Sequence, residues 1–335
     1  GPLGQIDQKF PNDPKPAPEM SVSVVVCTRG RPESLRNCLT SLARLDPAAT
    51  EVIVVDNGRP DDGVRAIVCQ FPGFRYLTES EPGLSRARNA GLRAASGEII
   101  AWTDDDVVVS PGWIGKILRG FATKEVAGLT GLVLPERLET SAQVRFERGF
   151  GGFNRGYRAL TYDAEFFAAT CATGVPVWAI GAGANMAFRR EVFAKVGHFD
   201  DRLGAGAAGC SEDSEMWYRM LAAGMTIRYE PLAVVWHAHR ADGGDFQDQM
   251  AHYMRGHAAA LLIQHEKHRH AGNLRRLFLS LPMYYWRVIK GTYIGAERGT
   301  VWHEILGCLR GIAYYLRNVR SAHGRDQRPP AATSG

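Results

Sequence analysis

The 335-residue chain has no apolar run approaching the roughly 20 residues that a membrane-spanning helix needs, which argues against a helical transmembrane protein. Its six cysteines (Cys27, Cys38, Cys69, Cys171, Cys210 and Cys308) fall in no paired spacing. That excludes a disulfide framework or a cysteine-held zinc and suits reduced thiols in the cytoplasm. No internal repeat is present, so a solenoid is excluded. A literal Gly-x-Gly-x-x-Gly does occur at Gly204–Gly209, but it follows Asp200-Asp201-Arg202-Leu203 instead of a first strand. A nicotinamide site is therefore not read from it; a mobile glycine loop leading into the next helix is. No secretory leader pattern opens the chain. Gly1-Pro2-Leu3-Gly4 reads as the scar of a cleaved tag, and the proline-rich stretch to residue 19 reads as a disordered lead-in.

The net charge of +5 is unevenly spread. Residues 249–335 hold 13 Lys and Arg against 4 Asp and Glu, a balance of +9, so the rest of the chain carries −4. The basic excess points to a partner specific to the C-terminal quarter. No nucleic-acid-binding motif accompanies it, and nucleic acid is not expected as that partner.

The chain is organised around Gly97-Glu-Ile-Ile-Ala-Trp-Thr-Asp-Asp-Asp-Val-Val-Val-Ser-Pro111. An apolar run climbs to three consecutive carboxylates, Asp104, Asp105 and Asp106. Adjacent carboxylates repel and lose hydration if buried alone, so a cation belongs there. A hard divalent ion such as Mg²⁺ or Mn²⁺ carrying a phosphate fits, with a solvated acidic turn as the plain alternative.

Upstream, residues 21–27 form a continuous apolar run of the kind that makes a buried parallel strand, followed by a helix with Leu35, Leu39 and Leu42 on one face. Residues 50–56 repeat the pattern and end in Asp56. A short strand at 74–77 and a helix from Leu84 to Ala95 precede the acidic strand. Four alternations predict a doubly wound α/β sheet, mostly parallel and flanked by helices. Ligands of such sheets bind beyond the carboxyl ends of the strands, where Thr28, Asp56 and Asp104–Asp106 converge.

The segments Val24–Leu35, Glu51–Asn57, Gly83–Leu92 and Gly97–Asp106, in this order and over residues 21–240, resemble the family 2 inverting glycosyltransferases. The resemblance implies a GT-A fold and a nucleotide-sugar donor, most often a UDP-sugar. It implies that Thr28 lines the nucleotide pocket and Asp56 receives the base. Arg86, Arg88 and Asn89 would face the donor from their helix, Arg88 foremost. Arg29 and Arg31, in the loop after the first strand, are counted with these donor-binding residues. Of the triplet, Asp106 would bind the metal and Asp104 the ribose or a metal-bound water, with Asp105 supporting them. The Gln-x-x-Arg-Trp motif of processive relatives is absent, which implies one sugar per encounter.

Beyond residue 111 the reading changes. A helix begins at Pro111-Gly112, a strand crosses back over residues 129–135, and 136–172 turn aromatic, as an acceptor platform or a self-packed helical hairpin. The resemblance places Gly181–Asn185 beneath the acceptor and donor sugar, so Gly183, Asn185, Glu212 and Trp178 are the acceptor- or sugar-binding candidates. Ser211 suits an N-cap, and Glu212 and Asp213 open the helix after it. By resemblance Asp213 is the catalytic base; helix-dipole complementation is the plain alternative. Residues 226–240 read as a strand pair ending in His237 and His239, and by resemblance a histidine here is a further metal ligand, His237 being preferred for its place at the strand end.

The expected organisation is a catalytic domain over residues 20–240, with a nucleotide-binding half to 110 and an acceptor-binding half after it. A helical extension with a basic disordered tail follows. In the extension Trp302, Ile305, Leu309, Ile312, Leu316 and Val319 form an apolar stripe beside Arg310 and Arg317. That stripe would pack on the catalytic domain, pair in a homodimer, or lie on the inner face of a membrane near a glycan, lipid-linked or small-molecule acceptor. Two other functions compete: a sugar nucleotidyltransferase, weakened by the lack of a glycine-rich triphosphate loop, and a non-catalytic nucleotide-sugar or glycan-binding module.

Overall fold

A computed structural model describes residues 19–239, 243–292 and 298–323; the lead-in expected before residue 19 and the basic tail beyond 323 lie outside the described residues. The first half alternates as expected: β1 (Val22–Thr28), α1 (Pro32–Leu42), β2 (Glu51–Asn57), α2 (Asp62–Val68), β3 (Phe74–Glu79), α3 (Leu84–Ala94) and β4 (Ile99–Asp104). The second half is irregular: β5 (Val107–Val109), α4 (Trp113–Gly120), β6 (Val126–Pro135), α5 (Ser141–Arg145), β7 (Leu160–Tyr162), α6 (Ala164–Cys171), β8 (Asn185–Arg189), α7 (Val192–Val196), α8 (Glu212–Ala222) and β9 (Thr226–His237). Helices α9 (Gly243–His268), α10 (Ala271–Arg275), α11 (Leu281–Lys290) and α12 (Val301–His323) complete it.

The strands form one mixed sheet in the order β3-β2-β1-β4-β8-β6-β9-β5, with β7 beside β9. β3, β2, β1 and β4 run parallel, as does β6 with β9, while β8 is antiparallel to β4 and β6. All seven residues of β1 are buried because both faces are covered. Val24 and Val26 pack with α1 and α2 through Leu35, Leu39 and Val64. Val25, Ile53 and Trp102 pack with α3 and α8 through Ala87, Ala90 and Trp217. Register aligns Thr28 with Asp56 and Cys27 with Asp104, so three strands deliver their polar ends to one edge.

One local expectation is corrected. Residues 226–237 are one strand rather than a pair. The partner of Gly131 is Glu230 and that of Leu132 is Val234, so β9 bulges at residues 231–233, where Pro231 has no N–H for the ladder. The stripe picked out in α12 is split: Trp302, Leu309 and Leu316 are 58–69 % exposed, while Ile305 and Ile312 pack against a buried cluster shared with α11. Glycine decides the face that meets α9. A Cβ on Gly307 or Gly311 would run into the carbonyl oxygen of Ala251 or Arg255, so α12 lies backbone to backbone on α9. Helix α9 in turn buries Ala259, Ala260 and Ile263 against Leu203 and Ala208, beside the Gly204–Gly209 loop. The histidine tract at the end of α9 is spent on structure: the His270 ring bonds the Tyr218 hydroxyl at 2.7 Å, and Lys267 pairs with Asp200 and Glu215 at 2.9 Å.

Helix α3 approaches the sheet through Gly91, whose added Cβ would collide with Val25 and touch Val55 at 3.3 Å. Gly91→Ala should therefore cost roughly 1–3 kcal/mol by overpacking, read as a lowered midpoint in urea unfolding.

Candidate active site

Two segments bring the site together. The loop before α3 is fixed by Asn57, whose Oδ1 accepts from Gly83 N at 2.8 Å and whose Nδ2 donates to the carbonyls of Glu79 and Glu81. Helix α3 then points Arg88 into the interior, where it is 2 % exposed. Its guanidinium pairs with Glu212 Oε1 at 2.6 Å and lies 3.4 Å from both Asp104 Oδ1 and the Gly183 carbonyl oxygen. Gly183 N donates in turn to Asp213 Oδ2 at 2.8 Å, and Ser214 N donates to the other oxygen at 2.6 Å. The triplet strand, α3, the glycine loop and α8 thus meet at Arg88 and Gly183. A Cβ at 183 would stand 2.8 Å from the Arg88 guanidinium and 3.0 Å from the Asp213 carboxylate, so any larger residue would have to push these groups aside.

The start of α8 departs from ordinary capping. Ser211 holds the N-cap position with φ +72, and its side chain caps nothing; the hydroxyl lies 3.1 Å from Cys210 Sγ. A left-handed serine is uncommon and marks a turn held by its surroundings.

At the nucleotide end Asp56 is buried. Its Oδ2 accepts from Tyr76 Oη at 2.8 Å and Asp61 N at 2.9 Å, whereas Oδ1 is buried with no partner. Burial, and then the bond to Asp56, pushes the Tyr76 hydroxyl up to about 12, so it stays a donor. An unmet buried acceptor at the carboxyl end of β2 is free to take an N–H from a ligand.

The acidic triplet is not uniform. Asp105 is fully buried, accepts from Thr28 Oγ1 at 2.7 Å, and meets Arg31 at 2.5 Å. Burial pushes it up to about 7, against the pull of Arg31. Arg31 also donates to Asp106 Oδ2 at 2.7 Å. Asp106 Oδ1 is buried without a hydrogen bond and lies 3.5 Å from His237 Nε2. The pairing of Val107 with His237 sets that approach. His237 Nδ1 is 2.9 Å from His239 Nδ1, and His239 Nε2 is 2.7 Å from Glu147. Burial lowers the pKa of His237, which favours the neutral ring that a metal requires. Asp106 Oδ1 and His237 Nε2 fit two positions of a Mn²⁺ or Mg²⁺ ion. Among the described residues no cluster of three or more such side chains forms a metal site, so an ion held by this pair would take its further ligands from substrate and water.

Other candidates lie away from this junction. Arg29 is exposed at the cleft rim near Gly58. Arg86 turns to Glu81 and Asp201. Asn89 spends its amide on Phe199 and Asp201. Asn185 knits the sheet, accepting from Trp113 Nε1 and donating to the carbonyls of Leu132 and Ala233. Trp178 stacks under the Arg276 guanidinium, 3.7 Å from its ring centroid. Glu147 was missed, since only the fold brings residue 147 to the end of β9.

Asn185→Ala should leave three buried groups unpaired and lower stability by about 2–4 kcal/mol, checked by thermal unfolding. Burial pushes Glu212 up to about 7, opposed by Arg88. Its native form therefore holds a proton more tightly than the unfolded chain, and that stabilisation, complete below the ordinary glutamate range, is lost as pH rises through 7. Glu212→Gln should flatten the fall in melting temperature between roughly pH 5 and pH 8.

Known proteins resemble the chain in sequence and in fold. The chain is 30% identical over 260 residues to the pre-mycofactocin glycosyltransferase of Mycobacterium tuberculosis (strain ATCC 25618 / H37Rv), covering 76% of this chain and 50% of that protein. The chain thus spans about half the length of that relative. It is 29% identical over 236 residues to the succinoglycan biosynthesis protein ExoM of Rhizobium meliloti (strain 1021), covering 66% of this chain and 67% of the relative. Among solved structures, a mannosyltransferase from Pyrobaculum calidifontis in complex with GDP-Man and Mn²⁺ superposes with a TM-score of 0.55 at 17% identity, covering 97% of this chain and 94% of that one, which establishes a shared GT-A fold. The sequence model for glycosyl transferase family 2 matches residues 23–197, and the chain belongs to that family.

Proposed function

We propose that the chain is a metal-dependent inverting glycosyltransferase that moves one sugar from a nucleotide-diphosphate sugar to an acceptor hydroxyl. The observation that carries the reading is the junction at Arg88 and Gly183, which joins the donor-side Asp104 to the acceptor-side Asp213.

Asp56 Oδ1 takes a ring N–H of the base, a group that uracil and guanine share. The family resemblance favours uracil, while the Pyrobaculum calidifontis neighbour is described with GDP-Man. Asp104 faces the ribose. Asp106 and His237 would hold Mn²⁺ or Mg²⁺, which when bound would supply positive charge to a leaving diphosphate. Arg31, half exposed on the triplet, is within reach of the same phosphates. On the acceptor side, two backbone N–H bonds fix the Asp213 carboxylate as general base. It takes the proton of the acceptor hydroxyl while that oxygen bonds to the anomeric carbon and the carbon–phosphate oxygen bond breaks on the opposite face, inverting the centre. The acceptor is a glycan, a lipid-linked glycan or a small molecule. Six unpaired cysteines suit a cytoplasmic location, where activated sugars are available.

Asp213→Asn should lower sugar transfer by ~10²–10⁴-fold, while donor affinity, measured as metal-dependent thermal shift over a panel of UDP- and GDP-sugars, stays near that of the parent. Normal turnover by this variant would remove Asp213 from its role. Pyrophosphate release from an added nucleoside triphosphate and a sugar 1-phosphate would instead support a nucleotidyltransferase. Donor binding with no turnover, with or without EDTA, would support a binding module.

A further inference from the structure

The exposed apolar surface is concentrated in one place. Nine of the twelve large hydrophobic side chains that stand exposed among the described residues belong to the stretch 278–316. Phe278 and Leu279 lead into α11, which adds Met283, Trp286 and Ile289, each of the five at least half exposed. On α12, Trp302, Leu306, Leu309 and Leu316 recur at spacings of four, three and seven, an outward stripe. Both helices bury their other faces in one cluster, through Leu281, Tyr285 and Val288 on one and Val301 and Cys308 on the other. The core is thus already satisfied, and the outward stripes are surplus to folding.

Charge identifies what covers them. From residue 269 to 323 the described residues include nine arginines and lysines and a single acid, Glu304, which accepts from the Thr300 hydroxyl at 2.6 Å. Four exposed apolar residues are each followed directly by an exposed basic one: Trp286-Arg287, Ile289-Lys290, Leu309-Arg310 and Leu316-Arg317. Each helix therefore presents an apolar stripe with cations along the same flank, and each has one exposed tryptophan, Trp286 on α11 and Trp302 on α12. Neither helix is long and apolar enough to cross a bilayer. A twofold pairing of this surface with a second copy would set arginine against arginine with almost no acid to neutralise it.

We propose that α11 and α12 form a docking surface for an anionic phospholipid bilayer, lying in the interface with their basic flank on the headgroups. The contact leads toward the active site, since Arg276, two residues before Phe278, stacks on Trp178 in the segment that runs into Gly183. Binding itself is independent of the transfer reaction.

The test is co-sedimentation of the 335-residue chain with phosphatidylcholine vesicles, with and without phosphatidylglycerol, at low and high salt. Binding is expected only with the anionic lipid and should weaken with salt. Arg310→Ala with Arg317→Ala should reduce partitioning roughly 30-fold. Trp286→Ser with Trp302→Ser should reduce it as well, with an unchanged melting temperature because both rings are exposed. Equal binding to neutral vesicles, or no binding to either, overturns the proposal. So does a concentration-dependent dimer that shifts the fluorescence of Trp286 and Trp302 without lipid.

Discussion

The buried guanidinium of Arg88 is the constraint on which the rest of the site depends. A cation 2 % exposed is tolerable only when its partners are close, and here they come from three other parts of the fold: Asp104 from β4, the Gly183 carbonyl from the loop before β8, and Glu212 from α8. Arg88 is therefore a structural rivet before it is a ligand-binding group. Withdrawing it would strand Glu212 in the interior and let the helix carrying Asp213 drift from the strand carrying the triplet.

The two halves of the fold were unequally legible. Strands β1, β2 and β4 are buried on both faces and read as unbroken apolar runs, so their ends, and Thr28, Asp56 and Asp104 with them, could be placed from sequence. The second half depends on distant pairings. Sequence spacing does not show that β9 bulges at Pro231, or that Glu147 would stand behind His239, 92 residues away. Polar residue types also mislead where they serve packing: Asn89 and Asn185 look like ligand-facing amides and are consumed by backbone groups. In α12, Trp302, Leu309 and Leu316 face outward because Gly307 and Gly311 decide which side meets α9.

The family match ends at residue 197, whereas Asp213 and His237 lie beyond it. What holds them is nevertheless anchored inside the matched region, through Gly183 for Asp213 and through Asp106 for His237. The Glu147–His239–His237 chain acts on the ring that faces Asp106 in the manner of outer-sphere partners, fixing its orientation from behind.

Arg31 has a consequence of its own. Its guanidinium sits on Asp105 and Asp106 at 2.5 and 2.7 Å while remaining half exposed. A cation tethered to the protein is always present at high local concentration, so any free ion arriving from solution enters as a competitor. A bare divalent ion taken up by Asp106 and His237 would weaken the hold of Arg31 on Asp106 and leave it mainly to Asp105. An ion that arrived with a diphosphate would give Arg31 a new partner in the same exchange, and the cleft would thereby favour metal with its donor over metal alone.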